Sequence, residues 1–310
     1  MSDTGCTVIT SINVVLHAIC LILLQQLHQK STKQKPQPLY LISLSASEFL
    51  LNLCSIIVHL IPAKILCITR IPVTAVFIVY VGTIFLITAD RLAACLLKHR
   101  YRSICTLYRV KVVILSIWGC SFLVTSSAAA IVYLSWGYPA MNRAYEIFFY
   151  IVVPVIFIIF FLYATTIYVT VFVIYVRSER RVATKDSMCH IFINSKFKVA
   201  LLIVATFLVL MVGPYLMLFV KYLKEHSIDS TTKTITVYLA TLSDTIDAFI
   251  YIVVYQPVTE LLRREILTVV MWCSQLNGRE IKTETSELLV AGRLAAVVPL
   301  DSGDITEVSA

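Results

Sequence analysis

The stretch "LSDTIDAFIYIVVYQPV" sets Asp244 and Asp247 three residues apart in a segment apolar enough for a bilayer, with Tyr251 four residues further on. On a helix this spacing puts both carboxyls and the phenol on one face. A carboxylate at membrane depth costs roughly 2.5–3.5 kcal/mol on insertion scales, so such groups face a bundle interior, where they exchange protons, hold a cation or set a switch. A second polar pair, Asp90–Arg91 in "ITADRLAACLLKHRYRS", closes another apolar run. There the arginine can pair with its neighbour and reach toward the headgroups. The chain's 9 cysteines show no CxxC or Cys/His metal spacing, and no Ser/His/Asp set emerges. Neither a metal module nor catalysis is expected.

Helices must hold these groups. The chain has 310 residues, 59% hydrophobic and 14% charged, with mean hydropathy +0.86, far more apolar than a soluble domain needs. A hydrocarbon core about 30 Å thick takes roughly 20 apolar residues per helix. Seven segments qualify, at 7–27, 39–62, 71–97, 110–134, 145–176, 196–220 and 234–255. The opening "MSDTG" lacks a basic n-region, so the first segment is expected to remain as a helix. An odd number of spans leaves the two ends on opposite sides, and the Lys/Arg distribution orients them. With residues 1–6 as a short extracellular N-terminus, six of the 26 Lys and Arg lie outside: Lys64, Arg70, Arg143, Lys221, Lys224 and Lys233. The net charge of +8 therefore reads as topology, with no nucleic-acid partner.

The outer connections are short and hold no domain to capture a protein ligand, whereas the inner "VRSERRVATKDSMCHIFINSKFK" is long and basic. No internal repeat of the transporter kind is evident. Beyond the bundle at 7–256, residues 257–273 place Val258, Leu261, Leu262, Ile266, Val269 and Val270 on one helical stripe, with Arg263 and Arg264 available to headgroups. This predicts an amphipathic helix on the inner leaflet, in contact with membrane lipid, and Cys273 is its palmitoylation candidate. Residues 274–310 are acidic and rich in Ser and Thr, the composition of a disordered cytoplasmic tail. Cys20, Cys54, Cys95 and Cys120 read as small packing residues. Cys6 and Cys67 both fall on the outer side, and their spacing alone does not pair them.

The ordered motifs resemble those of the rhodopsin-like G-protein-coupled receptors, over roughly residues 7–272. Asp90-Arg91-Leu92 matches the family's Asp-Arg-Tyr, Trp118 its tryptophan of the fourth span, and Pro154 and Pro214 its prolines of spans five and six. Asp247-Ala248-Phe249-Ile250-Tyr251 matches Asn/Asp-Pro-x-x-Tyr, and "LYLISLSASEFLLNL" its Leu-Ala-x-x-Asp stretch, with Glu48 at the sodium-site aspartate. The resemblance implies an all-α seven-transmembrane bundle at the plasma membrane with a cytoplasmic C-terminus. It further implies coupling to a heterotrimeric G protein through Asp90, Arg91, Tyr163, Tyr251 and Asp247. Arrestin and a receptor kinase would act on tail sites such as Thr283, Thr285, Ser286, Ser302, Thr306 and Ser309.

The resemblance also brings Glu48 and His17 to the face of Asp244 and Asp247, beside Ser243. Three bare carboxylates cannot share a low-dielectric interior without bound protons, an imidazolium or a cation. Three states stay open: a Na⁺ site at Glu48 and Asp247, a proton-sensitive switch at His17 or Glu48, and a satisfied polar network that only fixes packing.

Departures from the family's pattern carry expectations too. The proline of the span-seven motif is Ala248, the toggle tryptophan is Val212, and the acidic partner of Arg91 is Asn194, which predicts a loosely latched resting state with ligand-free activity. Val73 stands near the amine-receptor aspartate position and Thr241 near the retinal lysine, so neither amines nor light is expected as stimulus. The pattern is that of a divergent orphan member with an unknown ligand. The readings from other classes are a transporter or proton-conducting channel that uses His17, Glu48, Asp244 and Asp247 as a relay, and a non-signalling relative.

Overall fold

A computed structural model describes residues 3–30, 37–60, 66–97, 100–181, 195–225 and 229–276. The helices are α1 (Asp3–Lys30), α2 (Gln37–Leu60), α3 (Leu66–Leu97), the short α4 (Tyr101–Ile104), α5 (Leu107–Ile147), α6 (Val153–Arg181), α7 (Ser195–Phe207), α8 (Gly213–Glu225), α9 (Ser230–Phe249) and α10 (Gln256–Leu276). No strand occurs among the described residues. Seven stretches are long and apolar enough to cross a membrane: Thr7–Gln29, Pro38–Val58, Arg70–Ala94, Leu107–Ser135, Arg143–Val171, Val199–Glu225 and Thr231–Val254. The chain is an all-α, multi-pass membrane protein built as a seven-helix bundle.

The spans fall where hydropathy places them, and their ends move by a few residues for local reasons. The fourth starts earlier than residue 110, because Thr106 caps α5 by accepting from the Arg109 backbone N–H at 3.4 Å. The seventh starts at an Asp229 cap that accepts from the Thr232 N–H at 3.1 Å and pairs with Lys221 across the turn from span six. The Lys221 ammonium and the Thr232 hydroxyl hold the Asp229 carboxyl well below the usual carboxylate range. Spans four and five are divided at Gly137, whose φ of 71° lies in the left-handed region that side chains rarely adopt.

The third span is the hub: 61% of its window is buried, against 11% for the fourth. It packs on α2, α5, α6 and α7, while α1 packs on α2 and α9. The centre is aromatic. Phe157 and Phe160 both meet Phe207 edge to face at 5.1 Å, and Tyr80 and Phe77 close the group from span three. Trp118 ties the peripheral fourth span inward by donating from Nε1 to Ser43 Oγ at 3.1 Å, and Ser43 in turn meets Thr83 at 3.2 Å.

Three spans contain a π-helical turn, at Phe148–Val152, Leu208–Val212 and Ile250–Val254. Each ends two or three residues before a proline: Pro154, Pro214 and Pro257. Proline lacks the N–H that would close the preceding turn and its ring crowds the carbonyl four residues back, and a widened turn relieves both. In span seven the irregularity therefore lies beyond Ala248. The helix reaches it intact and ends at Tyr255, whose N–H bonds Ile250 O at 3.1 Å.

The amphipathic helix runs over Gln256–Leu276, slightly longer than 257–273. Val258 and Leu261 are buried. Residues from Leu262 onward form a separate unit, in which Arg263, Arg264, Ile266, Val269 and Val270 are exposed. The side chains of Cys6, His59, Cys67, Cys95 and Cys273, together with Asn194 and the tail from residue 277, lie outside the described residues.

The aromatic centre makes a stability prediction. Phe207→Ala empties a fully buried site, and in lipid the lost packing dominates over transfer, so unfolding in detergent micelles should be easier by at least about 2 kcal/mol. Ile159→Ala, on a face 57% exposed, should change it by less than about 0.5 kcal/mol. Equal effects in thermal melts of the two variants would contradict this core.

Candidate functional site

Two polar sites occupy the bundle, and α2 contributes to both. The first gathers His17 from α1, Glu48 and Asn52 from α2, and Ser243, Asp244, Asp247 and Tyr251 from span seven. His17, Glu48, Ser243, Asp247 and Tyr251 are all 0% exposed. His17 Nδ1 lies 3.2 Å from Glu48 Oε2 and 3.3 Å from Ser45 Oγ, and Nε2 lies 3.0 Å from the Asp244 carbonyl oxygen. Tyr251 donates its hydroxyl to the same Glu48 Oε2 at 3.4 Å, and its ring meets the His17 ring edge-on. Asn52 donates to the Glu48 carbonyl at 2.9 Å and to Asp244 Oδ2 at 2.8 Å. The Glu48 and Asp247 carboxyls are close enough for their charges to interact strongly.

Hydrogen-bond chemistry fixes much of the proton content. A carbonyl only accepts, so His17 carries a proton on Nε2. The contact between Nδ1 and Glu48 Oε2 then needs one further proton, on the ring or on the carboxyl. A second proton or a cation is needed where Glu48 meets Asp247, because two bare carboxylates in contact inside a bundle repel. The five oxygens Glu48 Oε1, Ser243 Oγ, Asp244 Oδ1, Asp247 Oδ1 and Asp247 Oδ2 are buried without a hydrogen-bond partner. Such hard oxygen donors suit a proton or a monovalent cation such as Na⁺. Among the described residues, no group of three or more His, Cys, Asp or Glu converges as a tightly held metal requires.

An amide one turn before His17 reinforces the same seam. Asn13 donates to Thr241 O at 2.9 Å and accepts from Thr245 Oγ1 at 2.8 Å, joining α1 to span seven. Cys20 completes the row as a weak donor to Ala248 O at 3.8 Å. Tyr80 reaches the cluster from span three, next to Ser243.

The second site is at the far end of span three. Asp90 is buried, and Arg91 pairs with its Oδ2. Its Oδ1 accepts two phenols, Tyr40 from α2 at 3.2 Å and Tyr101 from α4 at 2.5 Å. Burial and the Asp90 acceptor hold the Tyr101 phenol above its ordinary range, so it remains a donor at physiological pH. The tyrosines in electrostatic reach of Arg91 are Tyr101, Tyr168 and Tyr255. Burial pushes the Tyr255 phenol up to about 12, with the Arg91 charge pulling the other way.

The structure thus joins His17, Glu48, Ser243, Asp244, Asp247 and Tyr251 in one cluster, and Asp90 with Arg91 in another. Tyr163 stands apart, half-buried and stacked on Phe85 at 5.2 Å. Trp118, Pro154 and Pro214 act as packing and helix-shaping residues. Sequence reasoning missed Tyr40, Tyr101 and Asn52. Asn52 was readable as the residue four after Glu48, on the same helix face, whereas the tyrosines come from a neighbouring helix and carry no spacing signal.

Asn52→Ala would strip Asp244 of its donor, and leaving a buried acceptor unpaired costs about 1–3 kcal/mol. The purified variant should melt correspondingly earlier, and Asn52→Asp, which sets a fourth carboxyl in the cluster, should melt earlier still. Unchanged melts for both would remove Asn52 from this network. Compared with known proteins, the chain matches no family model and no curated protein.

Proposed function

We propose that this chain is a rhodopsin-like receptor of the plasma membrane, with its N-terminus outside and its C-terminus in the cytoplasm, that passes a stimulus to a heterotrimeric G protein. The observation that carries the reading is the Arg91–Asp90 pair at one end of the most enclosed helix, held by Tyr40 and Tyr101. An arginine tethered by a carboxylate that can rotate away is suited to become a docking cation when the bundle opens. The His17–Glu48–Asp247 cluster supplies an internal switch. Moving a helix changes how many protons those contacts hold, so proton uptake and bundle geometry are linked. Na⁺ at Glu48 and Asp247 would stabilise the charged form of the same groups. Arrestin and a receptor kinase are the further partners of the tail, with membrane lipid around the bundle.

The competing reading is a transporter or proton channel. A relay across the bilayer needs members reachable from both sides, and here His17, Glu48, Ser243 and Asp247 are fully enclosed, which favours a switch over a conduit.

The test is G-protein activation in cells expressing the chain, with external pH stepped from about 8 to about 5.5, a window spanning ordinary histidine titration. Ligand-free activation should be measurable, should disappear in Arg91→Ala, and should rise in Tyr101→Phe, which releases Asp90. Glu48→Gln should flatten its pH dependence. Activation indistinguishable between the parent chain and Arg91→Ala would overturn the receptor reading, and pH-driven current would replace it with the relay.

A further inference from the structure

We infer that a cleft between spans three, four and five binds a single-chain amphiphile with a carboxylate head, a long-chain fatty acid, entering sideways from the bilayer. The cleft has a volume of about 240 Å³ and, among the described residues, one charged lining side chain, Arg70. It lies at the end of span three opposite Asp90–Arg91, so it is separate from both polar sites.

Its walls explain the shape of the ligand. Span four contributes small residues, Ala128 and Ala129, and span three contributes Ile78, with Phe148 closing the floor from the start of the fifth span. The hydroxyls present are directed to their own helices: Thr74 donates to Arg70 O at 2.9 Å and Thr125 to Ser121 O at 2.6 Å. What remains is an apolar channel. Its volume lies below the roughly 300–1,000 Å³ of drug-sized sites, so it takes the head end of a single chain while the rest of that chain lies in the bilayer. The side is open toward hydrocarbon, since span four is the least enclosed span and Val124, in the lining, is 59% exposed.

The head group follows from Arg70. Its guanidinium sits over the Tyr145 ring, 4.5 Å from the centroid. This cation–π contact holds the group in the wall of the cleft. Five N–H donors radiate in the guanidinium plane, enough to take a carboxylate in a bidentate fork beside other partners. Among the described residues, no acidic side chain lines the cleft to oppose an anion. A cation at one end of an apolar channel that opens into lipid is complementary to a fatty carboxylate, with the head at the interface and the chain along spans three and four.

The experiment uses the full chain in phosphatidylcholine nanodiscs with a long-chain fatty acid bearing a mid-chain diazirine, followed by peptide mapping of the labelled sites. Labelling should concentrate between residues 124 and 132 and between 144 and 148, and unlabelled fatty acid should compete for it while its methyl ester does not. Loss of one charge-assisted contact corresponds to about a tenfold weaker interaction, so Arg70→Gln should reduce labelling by that order while Arg70→Lys retains most of it. Ala129→Trp fills the channel without touching Arg70 and should abolish labelling in a protein with an unchanged melt. Equal labelling by the methyl ester, labelling spread over the lipid-facing side of α1, undiminished labelling in Ala129→Trp, or stronger competition by a diacyl anionic phospholipid would each overturn the proposal. The readout is occupancy, so it stands or falls independently of G-protein coupling.

Discussion

Carboxyl groups in a medium that cannot solvate them govern the whole arrangement. Glu48, Asp244 and Asp247 share one buried space, and their mutual repulsion there is far stronger than in water. The bundle meets this by surrounding them with polar groups from three helices: the imidazole of His17, the amide of Asn52 and the phenol of Tyr251. Spans one, two and seven are drawn together for that reason, and Asn13 and Cys20 extend the seam along α1. Removing any one of these helices would leave bare charge in hydrocarbon. In a membrane, where apolar surface gives little drive for helices to associate, such polar contacts and close packing define who neighbours whom.

The other half of the bundle is organised differently. Spans three, five and six meet through rings, with Phe157, Phe160 and Phe207 edge to face around Tyr80. Tyr80 therefore belongs to both halves, its ring in the aromatic group and its hydroxyl beside Ser243. The α2 helix has the matching role between the two polar sites. Tyr40 and Glu48 lie eight residues apart, about 12 Å of helix, with the fully buried Leu44 between them on nearly the same face. A displacement of α2 would thus be felt by the Asp90 latch and by the carboxyl cluster together.

Much of this was legible in the chain itself, because hydropathy over about 20 residues is a long and repeated signal. The spacing of Asp244, Asp247 and Tyr251 placed them on one face before any neighbour was known. What the neighbours would be is not readable from spacing: His17 and Glu48 reach the cluster through a family resemblance, Tyr40 is hidden because a phenol in an apolar helix looks like packing, and Tyr101 because it stands in a short basic segment after span three. The turn at Ile250–Val254 was hidden for another reason. The family's motif sets its proline at the place of Ala248, whereas Pro257, further along, widens the turn before it.

Those widened turns divide the molecule. Each carries one surplus residue, held by bonds that skip five positions where an ordinary helix skips four. All three lie in spans five to seven, and none occurs in the described parts of spans one to four. Letting a surplus residue pass along its helix would rotate the segment beyond it by about 100°, the angle of one residue in a 3.6-residue turn, with only a few hydrogen bonds exchanged at a time. The protein is thus a regular frame of four helices facing three that hold slack in their winding, and an axial twist is the motion this construction makes easiest.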